Sequence, residues 1–160
     1  MRILFFALAV AVVFLALQGT QKAVSDARPW MDPVITPEEK AAMEWIRSNT
    51  ADRAVFVTDI FGGEFVMGST LREGTLGGDW AIVPNVVGRM SDVQYRFYES
   101  NSSKEAWETA VKLNATYATV PNRNIFAGYA WKLPNKDIFN DGRYFELVFD
   151  NGYRIYKVLK

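Results

Sequence analysis

The sequence contains neither cysteine nor histidine. Without cysteine there is no disulfide, no thiol nucleophile and no thiolate ligand for a metal ion. Without histidine the chain lacks the commonest general base and the commonest ligand of transition metals. Serine–histidine and cysteine–histidine catalysis are therefore excluded, and any enzymatic mechanism would have to use a carboxylate, a lysine or a tyrosine.

An excess of charge is also missing, because 18 Lys and Arg residues balance 18 Asp and Glu residues. Binding to nucleic acid requires a basic stripe that replaces counterions, so we expect no nucleic-acid partner. Hydrophobic residues make up 49% of the chain and charged residues 22%, which is typical of a folded domain. No motif indicates a cofactor or a metal site.

The N-terminus does contain a long apolar run, because residues 3–17 carry no polar side chain. As a helix, residues 3–20 would span about 27 Å, close to the ~30 Å of a bilayer's hydrocarbon core. We therefore predict a membrane anchor at 1–20, with 3–20 in contact with lipid. The alternative is a cleaved signal peptide, although small-residue cleavage pairs near the end of the run are poor. Both interpretations place residues 21–160 outside the cytoplasm.

The remaining chain predicts a stalk at 21–35 and one α/β domain at 36–160. Thr36-Pro37-Glu38-Glu39 is a helix start signal, with an N-cap, a proline at the first position and a Glu at N3. This helix should end near Asn49, and its apolar stripe should pack on a sheet. The β-branched run at 54–58 predicts a buried strand. Alternating helices and strands predict a mixed sheet in two or three layers.

Further elements follow along the domain. We predict strands at 81–83 and 116–120, helices at 91–100 and from a capping box at 102–105, and irregular chain at 122–141. Asp150-Asn151-Gly152 between two β-rich runs predicts a C-terminal hairpin. A two-residue loop pairs Glu146 with Lys157, Leu147 with Tyr156 and Val148 with Ile155, and a bulged three-residue loop shifts this register by one. Either register predicts one buried face that carries Phe145, Leu147 and Phe149.

The segment 38–50, EEKAAMEWIRSNT, followed by AVFVT at 54–58, resembles a recurring segment in known enzymes. It resembles the region after the last transmembrane helix of multi-spanning, polyprenyl-phosphate-sugar-dependent (GT-C type) glycosyltransferases, including relatives of the archaeal oligosaccharyltransferase. The C-terminal hairpin and the stretch 79–89, DWAIVPNVVGR, are similar too. In that family the catalytic carboxylates lie between membrane helices, and no such residue has a counterpart here. The resemblance covers 36–160 and implies the outer accessory domain without the catalytic part.

Several acidic and glycine residues are candidates for ligand binding. The stretch 62–78 holds six of the eleven glycines and could cradle a phosphate, but it lacks the P-loop pattern, which favours simple turns. Asp59, Glu64 and Asp79 could bind a hard cation, although their spacing fits no EF-hand and favours capping or solvated roles. Asp59 with Glu64, or Glu73 with Asp79, are options for a glycosidase pair.

Aromatic residues and one arginine are candidates for binding sugars. Arg89 would hold a sugar phosphate or, as the favoured alternative, pair with Asp92. The aromatic side chains that could stack on sugar rings are Trp80, Tyr95, Tyr98, Tyr129 and Trp131. Asn101 and Asn114 begin N-x-S/T sequons and are candidate glycosylation sites.

The sequence thus favours a membrane-anchored, extracytoplasmic and non-catalytic domain. It would assist surface glycosylation by binding glycan or a multi-spanning glycosyltransferase. One alternative is a structural or assembly component of the cell envelope. Another is a hydrolase or transferase that uses Asp or Glu.

Overall fold

The computed structural model describes residues 2–31, 35–78 and 84–160, and the chain divides into two compact units, Met1–Pro33 and Val34–Lys160. The first unit contains helix α1, Arg2–Met31. Within it, Leu8–Arg28 is long and apolar enough to cross a membrane, a test that a signal sequence near the N-terminus also passes. The predicted apolar helix is therefore confirmed. It continues beyond residue 20, so that 21–31 of the predicted stalk is helical, whereas 32–34 lies outside the described residues.

The second unit is built on a five-stranded mixed sheet in the order β2-β1-β3-β7-β6, with a separate two-stranded sheet of β4 and β5. The strands are β1 Val55–Val57, β2 Glu73–Gly74, β3 Tyr117–Val120, β4 Ile125–Phe126, β5 Trp131–Lys132, β6 Phe145–Asp150 and β7 Arg154–Val158. The helices are α2 Pro37–Asn49, α3 Ile60–Thr70, α4 Val86–Ser91, a π-helix Asp92–Tyr98, α5 Ser103–Lys112 and a 3₁₀ helix Lys136–Asn140.

The central strands mix parallel and antiparallel pairing. β1 is parallel to both β2 and β3, whereas β7 is antiparallel to β3 and β6. The carboxyl ends of β1 and β3 consequently meet at one edge of the sheet, and β7 begins at that same edge. This topology confirms the predicted mixed sheet with a C-terminal hairpin.

Helices cover both faces of the sheet, so the domain has three layers. Successive residues of β1 alternate: Phe56 packs in the cluster formed with α2 and α3, and Val57 packs in the cluster formed with the π-helix and α5. In β7, Ile155 packs in the cluster with α2 and α3, and Tyr156 packs in the cluster with the π-helix and α5. Apolar residues on both faces explain why β1 is a continuous hydrophobic run, whereas β7 also carries Arg154 and the exposed Lys157.

Helix α2 begins as its sequence predicts. The Thr36 hydroxyl accepts a hydrogen bond from the Glu39 backbone N–H at 3.2 Å, and the Glu39 carboxylate accepts one from the Thr36 N–H at 2.9 Å. The helix ends at Asn49. At α5 the Ser102 hydroxyl accepts from the Glu105 N–H at 3.3 Å, as expected, but the Glu105 carboxylate accepts from the Ser100 hydroxyl instead of closing the reciprocal box.

Three segments differ from the prediction. The glycine-rich stretch 62–78 overlaps helix α3, and Gly62 and Gly63 lie on the buried side of that helix, where bulkier residues have no room. The predicted helix at 91–100 is present, but most of it is a π-helix. The segment 122–141, expected to be irregular, contains β4, β5 and the 3₁₀ helix. The predicted strand 81–83 lies outside the described residues.

The C-terminal hairpin contains both predicted registers. Next to the turn, Asp150 pairs with Arg154 and Phe149 with Ile155, which is the three-residue register. A bulge between Leu147 and Phe149 restores the two-residue register further from the turn. The prediction of one buried face for Phe145, Leu147 and Phe149 is therefore wrong. The bulge reverses the alternation of side chains along β6, and Leu147 on this edge strand is 49% exposed.

Two buried tyrosines, Tyr98 and Tyr153, should make the domain sensitive to alkali. Desolvation by burial raises the pKa of both phenols above the ordinary value of about 10. The unfolded chain then loses protons that the folded chain retains, so the free energy of unfolding should fall as pH rises above about 10, by up to ~1.4 kcal/mol per pH unit for each tyrosine.

Urea titrations between pH 8 and 11 test this expectation. The variant Tyr98→Phe is expected to be less stable at pH 8, because the Thr119 carbonyl loses the hydrogen bond that it accepts from Tyr98 at 2.8 Å. Its stability should nevertheless decline less steeply above pH 10. An unchanged decline in both Tyr98→Phe and Tyr153→Phe would contradict this explanation.

Candidate functional site

The carboxyl ends of β1 and β3 form the edge of the sheet where ligand crevices lie in open α/β folds. β1 leads into Asp59, which caps helix α3, and β3 leads through Pro121 into Arg123. The turn before β7 and the first turn of α2 line the same cleft as Arg123. The fold thus brings four separate segments together at this edge.

Arg123 is the centre of a buried ionic cluster. Its guanidinium donates to Asp59 through Nη1 at 2.9 Å and Nη2 at 3.3 Å, and to Glu39 through Nε at 2.9 Å. The two carboxylates are almost inaccessible to solvent, with 1% of Asp59 and 3% of Glu39 exposed. The two-pronged geometry with Asp59 is the strong arrangement for an arginine–carboxylate pair.

Backbone N–H groups also donate hydrogen bonds to both carboxylates. Asp59 Oδ1 accepts from Gly62 N at 3.1 Å, and Oδ2 accepts from Phe126 N at 3.2 Å. Glu39 holds the N-terminus of α2 through Thr36. The cluster therefore joins α2, α3, β4 and the segment after β3.

The buried cluster contains one positive and two negative side chains, and burial and charge affect their pKa values in opposite directions. Burial alone would lower the pKa of Arg123, but the charge of Asp59 and the hydrogen bonds to it, together with Glu39, hold that pKa above its ordinary value. Burial raises the pKa of Glu39, against the lowering effect of Arg123. One cation faces two carboxylates, and the N-termini of α2 and α3 supply further positive potential.

In this arrangement Asp59 holds neighbouring segments together and is not placed to act as a free base. Both oxygens of Asp59 already accept hydrogen bonds from Arg123 and from a backbone N–H. A general base needs an open lone pair within reach of the proton that it abstracts. We therefore assign the cluster a positioning role.

A polar cleft of about 280 Å³ opens beside the cluster. This volume is slightly below the ~300–1,000 Å³ of ordinary ligand pockets, so it suits a small polar group. The Asn151 amide fixes its rim by donating to the Glu38 carbonyl at 3.2 Å and accepting from Tyr153 N at 3.1 Å. The lining residues are Thr36, Glu38, Glu39, Asn122, Arg123, Asn151, Gly152 and Tyr153.

Of the acidic residues predicted as a cation site, the structure describes Asp59 and Glu64. Asp59 is buried in the cluster, where it has the capping role named as its alternative, whereas Glu64 is exposed on α3. Asp79 and Trp80 lie outside the described residues. Among the residues that the structure describes, no group of three or more acidic residues could hold a metal ion.

Arg89 lies half-buried in α4, and its predicted pairing with Asp92 is wrong. Asp92 pairs instead with Lys112 at 2.6 Å and with Arg96 at 3.8 Å. The reason is that Asp92 begins the π-helix and meets the last turn of α5. The phosphate-holding role of Arg89 stays a prediction.

Two of the predicted sugar-stacking residues form an exposed pair. The rings of Tyr95 and Tyr129 lie 5.3 Å apart at 46°, with 48% and 43% of each residue exposed. The Tyr129 hydroxyl donates to the Val87 carbonyl at 3.1 Å, which fixes that ring. Tyr98 is buried in the core, and Trp131 stacks on Phe61 and Phe126.

The two sequons differ in local conformation. Asn101 is exposed directly before the N-cap of α5. Asn114 is also exposed, but it has a left-handed backbone with φ of 56°, and the hydroxyl of its sequon residue Thr116 donates to the Val55 carbonyl at 3.3 Å. The backbone conformation of Asn114 and the engaged Thr116 hydroxyl therefore favour Asn101 as the acceptor, and modification of either residue stays a prediction.

The role of Arg123 was not predicted from the sequence. The available signal was its position, because Asp59 and Arg123 each follow a predicted strand closely. Parallel strands would bring these two residues to one edge, but the sequence does not specify which strands are parallel.

No protein-family model matches this sequence, and no curated protein matches it. Among solved structures, the fold is similar to the C-terminal globular domain of an oligosaccharyltransferase from Archaeoglobus fulgidus, with 17% identity and a TM-score of 0.55. The similarity covers 79% of this chain and 100% of that domain. Another structure of such a domain from the same organism gives 17% identity and a TM-score of 0.46, covering 80% of this chain and 99% of its own. The resemblance stated from the sequence is thus confirmed at the level of the fold.

Proposed function

We propose that this protein is a membrane-anchored accessory factor in surface glycosylation, with residues 36–160 outside the cytoplasm. Its partner would be a multi-spanning glycosyltransferase that uses polyprenyl-phosphate-linked sugars, or the glycan that such an enzyme transfers. The domain itself would carry out no chemical step.

The observation that carries this proposal is the fold similarity to the whole length of an oligosaccharyltransferase globular domain. Two further features support it. Helix α1 includes a segment long and apolar enough to cross a membrane. The buried carboxylates of the described domain are engaged in structural hydrogen bonds, and this favours recognition over catalysis.

The Tyr95–Tyr129 pair is the surface that we assign to glycan binding. Exposed aromatic faces pack on the apolar C–H patches of sugar rings, and their hydroxyls can bond to sugar hydroxyls. Tyr129 is held in place by Val87, so little side-chain freedom would be lost when a sugar binds.

A glycan array probed with the full-length chain in mild detergent tests this assignment. The double variant Tyr95→Ala/Tyr129→Ala should lose at least tenfold in affinity for any glycan that the parent chain retains. Leu147→Ala is a matched control, because Leu147 is 49% exposed on a different element, and it should leave binding unchanged.

Deletion of the gene tests the broader role. Mass spectrometry of surface proteins should then show fewer occupied glycosylation sites, restored by the parent chain. Absence of glycan binding together with unchanged site occupancy would contradict the proposal. A large homopolymer in mild detergent would instead support the structural alternative.

A further inference from the structure

The opposite edge of the sheet, where β1 and β3 begin, carries a second and larger groove. Its volume is about 560 Å³, and it lies between the segment before β1, the start of β3 and the C-terminal residues after β7. No residue that lines it belongs to the Arg123 cluster or to the cleft beside that cluster.

Three cations and no acidic residue line this groove. Arg53, Lys157 and Lys160 are all exposed, and in the described parts of the chain none of them forms a salt bridge. The nearby Asp52 does not neutralise them, because it pairs with Arg72 at 3.2 Å. The residues that line the groove therefore carry only positive charge, and Glu146, which lies opposite Lys157 in the register of β6 and β7, forms no salt bridge with it among the described residues.

The floor of the groove is apolar. Ala54 and Val158 are buried there, and Tyr117 stacks on Phe56 with the ring centroids 5.1 Å apart. The groove thus combines a hydrocarbon-like base with a cationic rim, and the two features suit the two ends of an amphiphilic anion.

The C-terminal wall is fixed by hydrogen bonds on both sides. The Leu159 N–H donates to the Tyr144 carbonyl at 2.9 Å, and the Leu159 carbonyl accepts from the Trp107 indole at 2.5 Å. Val158 N–H bonds to the Thr116 carbonyl across the sheet. The groove is therefore preformed, which reduces the entropy lost when a ligand binds.

We propose that this groove binds the anionic headgroup of a membrane phospholipid. The phosphate would lie among Arg53, Lys157 and Lys160, and the adjoining methylene groups would lie on the apolar floor. Charge complementarity selects an anion, and the floor selects a lipid over a free phosphate ion, because burial of methylene groups on an apolar surface is favourable.

Calorimetric titration of the full-length chain in uncharged detergent tests this site. The probes are dihexanoyl phosphatidic acid, dihexanoyl phosphatidylcholine and inorganic phosphate. We expect phosphatidic acid to bind at least tenfold more tightly than either of the other two probes, with affinity that falls as salt is added.

The test variant is Arg53→Gln/Lys157→Gln/Lys160→Gln, and the control is Lys40→Gln/Arg47→Gln/Lys104→Gln, which removes the same charge elsewhere on the surface. Phosphatidic acid should bind the test variant at least tenfold more weakly and the control within twofold of the parent. Circular dichroism melting checks that both variants fold.

Three results would overturn the proposal. Equal losses in the test variant and the control would indicate general charge attraction. Equal affinity for inorganic phosphate would indicate that a soluble anion is the occupant. Equal affinity for phosphatidylcholine would show that the cations do not select the headgroup.

Discussion

The variant Arg123→Met is expected to lower the free energy of unfolding by about 3–5 kcal/mol, because it leaves two buried carboxylates without their cation. Asp59 is 1% exposed and Glu39 is 3% exposed, so water cannot replace the lost partner without opening the domain. The deficit should shrink as pH falls from 7 to 5. Burial already raises the pKa of Glu39, and the variant removes the lowering effect of Arg123, so protonation of Glu39 as pH falls favours the folded state over the unfolded chain.

Urea denaturation of the full-length chain in detergent, followed by tryptophan fluorescence, measures this effect. Arg143→Met is the matched control, because Arg143 is 77% exposed and pairs with Asp141 at the surface at 2.7 Å. Surface pairs contribute only ~0–1 kcal/mol. Equal losses in the two variants would contradict the central role of the buried cluster. Arg123→Lys should lie between the parent and Arg123→Met, since lysine keeps the charge and loses the two-pronged geometry.

The variant Gly63→Ala should be the most damaging change in helix α3. A Cβ atom at Gly63 would lie 1.6 Å from the Leu76 carbonyl oxygen and 2.7 Å from the Thr58 hydroxyl. The first of these atoms belongs to the backbone, so the helix or the segment after β2 has to move. Overpacking of this kind costs about 1–3 kcal/mol when side chains can give way, and we expect a loss at or above the upper limit.

Gly68→Ala in the same helix provides the matched control. Gly68 is exposed, and a Cβ atom there meets no heavy atom within 4 Å. Alanine in place of glycine in a helix interior stabilises by about 0.5–1 kcal/mol, so Gly68→Ala should raise the urea midpoint while Gly63→Ala lowers it. A Gly63→Ala protein with parental stability would show that α3 does not pack as closely as described.

Local signals in the sequence determined how much of the fold could be predicted. Helix α2 was predicted to its ends because Thr36, Pro37 and Glu39 form a capping signal. Helix α3 was not predicted, because glycine disfavours a helix unless tertiary packing requires it. The close approach of Gly63 to the Leu76 backbone lies outside the helix, and the helix propensity of residues 60–70 does not reflect it.

The candidate site was predictable only in part, for a related reason. Asp59 was predicted as a site residue, but its partner Arg123 lies 64 residues away in sequence. The second carboxylate that Arg123 binds, that of Glu39, lies 84 residues from Arg123. Pairings over such distances are set by which strands become neighbours. Tyr95 and Tyr129 could be named from the sequence as aromatic residues able to stack on sugars, but their exposure and their proximity needed the structure.

The bulge in the C-terminal hairpin bears on how copies of this domain behave when crowded. A flat, regular outer strand offers unpaired N–H and C=O groups to which another chain can add. Here one outer strand, β2, is only two residues long, and the other, β6, is interrupted at Val148 and bears the charged, exposed Glu146. Neither edge strand is therefore well suited to pair with a strand of another copy. Copies concentrated on one surface should therefore remain separate instead of polymerising through their strands.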